Sequence, residues 1–230
     1  MAEYVIDVRH VDKIYTTGDI KTQVLFDINL EVEKGSFNSI IGASGSGKTT
    51  LLNILGTLDK PSAGEVLIGG VRADQMTKNQ LAILRNETIG FIFQFHYLLP
   101  EFTALENILL PVTIRKGRPD IGDIQRAEQL AELMGITGVK DNLATNMSGG
   151  QQQRTAVARA LINEPKIVLA DEPTGNLDSE SSANIYSRFR YINETLGTTF
   201  IIVTHDRRIA EQTDRIIGVK DGRLDMDVRK

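Results

Sequence analysis

Residues Ser39 to Leu52 run Ser-Ile-Ile-Gly-Ala-Ser-Gly-Ser-Gly-Lys-Thr-Thr-Leu-Leu, and no other stretch leaves the fold so little freedom. Phe37 to Ile41 is short and β-branched, as a buried strand is, and Thr50 to Leu55 opens an apolar helical run. Between them lies Gly42-x-x-x-x-Gly47-Lys48-Thr49, the phosphate-loop pattern in the strand–loop–helix setting it requires. Glycines let main-chain N–H groups turn inward around a polyphosphate, and the following helix adds its positive end. The pattern assigns Gly42, Ala43, Ser44, Gly45, Ser46, Gly47 and Thr50 to nucleotide contact. Lys48 would place a charge on the β- and γ-phosphates, and Thr49 a hydroxyl on Mg²⁺. The plain alternative is a glycine-rich turn before a core helix, and the flanking strand and helix weigh against it.

A chain of 230 residues can bury one substantial core and carry a smaller attached lobe. A net charge of −4 with no basic block gives no reason to expect a nucleic-acid partner. Zero cysteines exclude disulfides and thiolate sites. No apolar run reaches the ~18 residues that span a bilayer, and Met1-Ala2-Glu3 opens no signal peptide, so a cytosolic chain is expected. A membrane role would then come through another polypeptide.

Tyr4 to Val11 and Val24 to Val32 read as strands too close for a crossover helix, so an antiparallel sheet is expected beside the phosphate-loop strand. Tyr15, in the gap between them, is either an ordinary surface aromatic or a face for a purine. Ile89 to Phe93 is a further strand, with Gln94 at its end. That amide is either a plain surface group or a contact for a metal or a water. Phe95 to Pro111 is dense in large apolar residues and bracketed by prolines; it reads as the core of a helical lobe, a docking surface, or both.

Ser148 with Gln151 three residues on is a capping-box pattern, followed by Thr155 to Leu161 as helix. Gly149 and Gly150 weaken that helix start, yet they bare its N–H groups and make a second anion site. Ile167 to Ala170 and Thr199 to Thr204 are continuous apolar runs, the mark of strands buried on both faces of a parallel sheet. Asp171 and Glu172 stand at the end of one, His205 at the end of the other, where ligands bind in open α/β sheets. Asp171 suits a metal shell and Glu172 a general base. The chain thus carries two anion sites but one set of metal and base residues.

In this order the motifs resemble the ATP-binding cassette family over nearly the whole chain. Tyr15 matches the aromatic loop, Gly42 to Thr49 the Walker A motif, Gln94 the Q-loop, and Ser148-Gly149-Gly150-Gln151 the signature. Ile167 to Asp171 with Glu172 matches Walker B, Asn176-Leu177-Asp178 the D-loop, and His205 the switch histidine. Met147 stands where the signature has leucine and keeps an apolar anchor. The resemblance implies an α/β phosphate-loop NTPase: a RecA-like, mainly parallel sheet core, an N-terminal antiparallel β subdomain and an α-helical subdomain. It implies one ATPase domain over residues 1–230, with the helical part at about 96–163. ATP and Mg²⁺ are the implied cofactors, with Thr49, Gln94 and Asp171 around the metal and Lys48, Gln94, Glu172 and His205 catalytic.

The resemblance also implies a second copy of the chain as partner. Ser148, Gly149, Gly150 and Gln151 of one copy would close the γ-phosphate held by the other's loop. Gly90 to Asn107 and Ala170 to Asp178 are similar to the MacB/LolD-type branch, whose cassettes are about this long. That branch implies an exporter subunit, peripheral on the cytoplasmic face of the inner membrane. Its permease, of FtsX-like/MacB-type architecture, would dock near Phe95–Pro111, and its cargo would be lipoproteins, antimicrobial peptides or antibiotics, or haem. The competing expectations are a soluble ABC ATPase that serves assembly, and a small-acceptor phosphotransferase that would leave the Ser148 helix start unexplained.

Overall fold

A computed structural model describes residues 3–175 and 179–230; the expected D-loop, Asn176-Leu177-Asp178, lies outside the described residues. Strands β1 (Tyr4–Thr17), β2 (Ile20–Glu33), β4 (Ala63–Ile68) and β5 (Val71–Arg72) form an antiparallel sheet in the order β2-β1-β4-β5. β1 and β2 continue into a hairpin through Gly18, at φ +58°. Tyr15, expected between two strands, therefore lies within β1, paired with Thr22. Residues Ile14–Thr17 and Ile20–Gln23 are exposed or nearly so on both faces, which removes the two-residue alternation that marks a strand.

The second sheet has the order β10-β9-β3-β8-β7-β6. Strands β3 (Phe37–Ile41), β6 (Ile89–Phe93), β7 (Ile167–Asp171), β8 (Thr199–Val203) and β9 (Arg215–Lys220) run parallel, and β10 (Arg223–Arg229) returns antiparallel at one edge. Its central strands are apolar along their length because both faces are covered. Ile167, Leu169, Ile201 and Val203 enter a cluster with helix α1 (Lys48–Leu55) and the antiparallel sheet. Val168, Ala170, Phe200 and Ile202 enter the opposite cluster, shared with α3 (Ala104–Lys116), α4 (Ile121–Leu133), α5 (Gly149–Leu161) and α6 (Ser179–Leu196). Phe200 is the centre of that second cluster, with ring centroids 5.5 Å from Phe37 and 5.2 Å from Phe189. Each such side chain contributes about 1.5–3 kcal/mol on burial.

α2 (Lys78–Thr88), α3, α4 and α5 each start with a complete capping box, at Thr77, Thr103, Asp120 and Ser148. The segment from Phe95 divides into two kinds of surface. Phe95 and Tyr97 are 63% and 66% exposed, whereas Ala104, Asn107, Ile108 and Leu109 are buried. Pro111, the second of the bracketing prolines, lies inside α3. A helix-interior proline costs about 3 kcal/mol, and the burial of Ile108, Leu109 and Val112 around it outweighs that cost.

Two side chains tie the segment down. Asn107 Oδ1 accepts from Leu99 N at 2.8 Å, and its Nδ2 reaches the carbonyls of Leu99, Phe102 and Thr103 at 2.9–3.2 Å. From α5, Arg159 donates to the carbonyls of His96 and Tyr97, both at 2.7 Å. Asn107→Leu strands this set of buried main-chain groups, so it should lower unfolding stability by about 2 kcal/mol; a urea denaturation curve of the two proteins measures the difference. A small collar helix, α7 (Arg207–Ala210), completes the α elements after β8.

Candidate active site

The strand register builds the site. Phe93, Asp171, Val203 and Ile40 form one row across β6, β7, β8 and β3, which all run in the same direction. Residues just past that row therefore emerge together at one sheet edge: Gln94, Glu172, His205 and Gly42. They line one cleft of about 460 Å³ with Ser44, Gly45, Gly47, Lys48, Thr49, Thr50 and Asp171. Ala43 and Ser46 face the loop's opposite flank, a hollow of about 700 Å³ shared with His205, Arg207 and Asp221.

The loop itself is held by contact and conformation. A Cβ on Gly42 would lie 2.2 Å from Val219 O, so no other residue fits there. Gly47 sits at φ +103° as the N-cap of α1 and supplies no side-chain cap. The first N–H groups of α1 are thus left for a ligand, in contrast to the boxed starts of α2 to α5. Lys48 Nζ folds back onto the carbonyls of Gly42 and Ala43, at 2.9 and 2.8 Å. Ser46 Oγ is buried and meets no hydrogen-bond partner among the described residues.

Across the cleft, Thr49 Oγ1 donates to Asp171 Oδ2 at 3.2 Å. Burial raises the Asp171 carboxyl above its usual range, with Glu172 adding to the rise and Thr49 and Lys48 opposing it. Glu172 Oε1 and His205 Nδ1 lie 2.8 Å apart, so acid and imidazole form a pair. Gln94 packs against Gly175, where a Cβ would come within 3.0 Å of its Nε2. The donor set fits a triphosphate and Mg²⁺. An uncapped helix start and a lysine suit the phosphates, and no group of three or more carboxylates or histidines among the described residues is arranged to hold a metal ion by itself. One carboxylate with one hydroxyl is the set that Mg²⁺ completes with phosphate oxygens and water.

Tyr15 and the Ser148–Gln151 segment, also predicted contacts, lie outside this cleft. Tyr15 is 40% exposed; its hydroxyl donates to Asp59 Oδ2 at 2.8 Å and lies against Thr50, and the Lys13 ammonium sits 4.6 Å from its ring centroid. Ser148, Gly149, Gly150 and Gln151 do not line the cleft of their own chain. Ser148 Oγ accepts from Gln151 N at 3.3 Å and Gln151 Oε1 from Ser148 N at 2.8 Å, while a Cβ on either glycine would meet nothing within 4 Å. Sequence reasoning does not single out Gln153 or Arg159; the signal for both is a polar side chain on the buried face of α5.

A model of the ABC transporter family matches residues 25–175. The chain is 48% identical over 215 residues to the lipoprotein-releasing system ATP-binding protein LolD 1 of Rhodopseudomonas palustris, covering 93% of this chain and 95% of that one. It is also 48% identical to LolD of Shewanella oneidensis, over 97% of each. Among solved structures, a dimeric post-hydrolysis state of the cassette MJ0796, bound to ADP and Pi, superposes with a TM-score of 0.91 at 39% identity, covering 97% of this chain and 98% of that one. The chain belongs to the ATP-binding cassette family. It is an ATP-binding subunit of an ABC transporter, with ATP hydrolysis coupled to transport, and the LolD likeness favours this over a soluble assembly ATPase.

The raised Asp171 carboxyl has a consequence for stability. Its folded pKa lies above the unfolded one, so the ionised group opposes folding above that range and the penalty fades as pH falls through it. Asp171→Asn removes the buried charge at pH 7. The nucleotide-free variant should melt about 2 °C higher while losing turnover, as read by calorimetry and phosphate release.

Proposed function

We propose that two copies of this chain enclose two ATP molecules and drive a lipoprotein-releasing permease. The observation that carries the reading is the start of α5. Its two glycines face open space in their own chain, so packing within one copy gives no reason for them. A phosphate approaching from a second copy does, because Cβ atoms there would hold it away from the bared N–H groups. That the similar cassette MJ0796 has been solved as a dimer supports a paired form.

In this reading Gly42 to Gly47 and Thr50 hold the polyphosphate, Lys48 balances its β- and γ-charges, and Tyr15 lies toward the purine. Thr49, Asp171 and Gln94 would hold Mg²⁺, which would supply positive charge to the β- and γ-phosphates. Glu172 takes the proton of the attacking water, and His205, bonded to it at 2.8 Å, fixes its orientation. Ser148, Gly149, Gly150 and Gln151 of the second copy close the γ-phosphate and stabilise charge that one loop cannot enclose.

The chain acts as one ATPase domain over residues 1–230, its helical subdomain at about 96–163 carrying the membrane contact. Phe95 and Tyr97 present exposed aromatic surface there, which suits a short apolar segment of a permease. No helix among the described residues is long and apolar enough to cross a membrane. In this reading attachment to the cytoplasmic face of the inner membrane is peripheral, through a permease of FtsX-like/MacB-type architecture. Lipoproteins are the cargo class, as the names of the LolD relatives support.

Glu172→Gln should bind ATP–Mg²⁺ without hydrolysing it and elute as a dimer on gel filtration at saturating nucleotide, with turnover reduced at least about 100-fold. A monomer profile for that variant would overturn the sandwich.

A further inference from the structure

Gln153 lies on α5 two residues past Gln151 and is 1% exposed. It shares the buried face with Ala156, Val157 and Ala160, where an apolar side chain would be the ordinary choice. A carboxamide in such a place destabilises the fold unless it is bonded. Its Nε2 donates to the carbonyl of Pro173 at 2.5 Å, and its Oε1 meets no donor among the described residues.

Pro173 follows Glu172, and Glu172 is the constrained residue of the turn. Its φ of +45° lies in the left-handed region, which residues with a Cβ rarely adopt. Its N–H donates to Val203 O at 3.0 Å, and its carbonyl accepts from Gly175 N at 3.1 Å. Strain of this kind persists only where the surroundings over-determine it. β8 restrains the turn on one side, and the Gln153 amide restrains it from α5.

We infer that Gln153 is a positioning residue: it holds the Pro173 carbonyl so that the strained turn keeps Glu172 aimed, and it ties that aim to the seating of the Ser148 end of the same helix. The inference rests on the sandwich proposed above. There the Ser148 end of a chain belongs to one ATP site and its Glu172 to the other. Five residues of helix, about 7.5 Å, separate Ser148 from Gln153. Over so short a span α5 moves as one rigid piece. Seating of the Ser148 end against one nucleotide therefore adjusts the base that serves the other.

The test uses the full chain with Gln153→Met, which keeps the volume and removes the donor, and Gln153→Asn, which keeps the amide but shortens its reach. Both should bind a fluorescent ATP analogue within about twofold of wild type. Both should also retain an ATP KM within about twofold and lose about 10-fold in kcat. Placed in the Glu172→Gln background, Gln153→Met should still give the ATP-bound dimer, which separates the aim of the base from closure. A wild-type kcat in either folded variant overturns the role of Gln153. If Glu172→Gln alone fails to dimerise, the sandwich itself is wrong. A Glu172→Gln dimer beside full turnover in Gln153→Met removes the present inference only.

Discussion

The constraint on which the molecule depends is that its parallel strands are buried on both faces. Burial on both sides leaves the main chain no partner but the neighbouring strand, so the register between β6, β7, β8 and β3 is tightly specified. A shift of one residue in β7 would turn Val168 and Ala170 toward α1 and carry Asp171 away from Thr49. The chemistry at the sheet edge is thus a by-product of core packing. Residues with no contact to the cleft, such as Phe37, Phe189 and Phe200, set its dimensions through the sheet they hold together.

The edge residues differ in how much the fold tolerates them. Asp171 keeps its charge in a place that disfavours it, and Glu172 keeps a backbone angle that a Cβ disfavours. The start of α1 has no side-chain cap. All three are unfavourable for an empty chain, and in the proposed function polyphosphate and metal would offset the buried charge and the uncapped helix start. They sit where β3 and β7 end, the part of the sheet best supported from both faces, which is where a fold can carry local cost.

Much of this was legible in the sequence because the relevant signals are local. The glycine pattern after Phe37–Ile41, the apolar runs of β7 and β8, and the Ser148–Gln151 box each depend on neighbouring residues alone, and each appears in the structure as expected. The exposed hairpin of β1 and β2 was hidden because no face of it is buried. For the candidate site, the residue types were legible, but their pairings were not. The bond between Glu172 and His205 and that between Gln153 and Pro173 join positions 33 and 20 residues apart, and only the sheet register and the seating of α5 bring them together.

The Arg159 guanidinium has a mechanical consequence. It donates to two adjacent main-chain carbonyls, His96 and Tyr97. Burial lowers its pKa from the usual arginine value. The aromatic surface at Phe95 and Tyr97 and the bared start of α5 are therefore two ends of a single crank. In the proposed function, a permease segment pressing on those rings and a phosphate at the glycines would load the same helix, although neither touches the same residue.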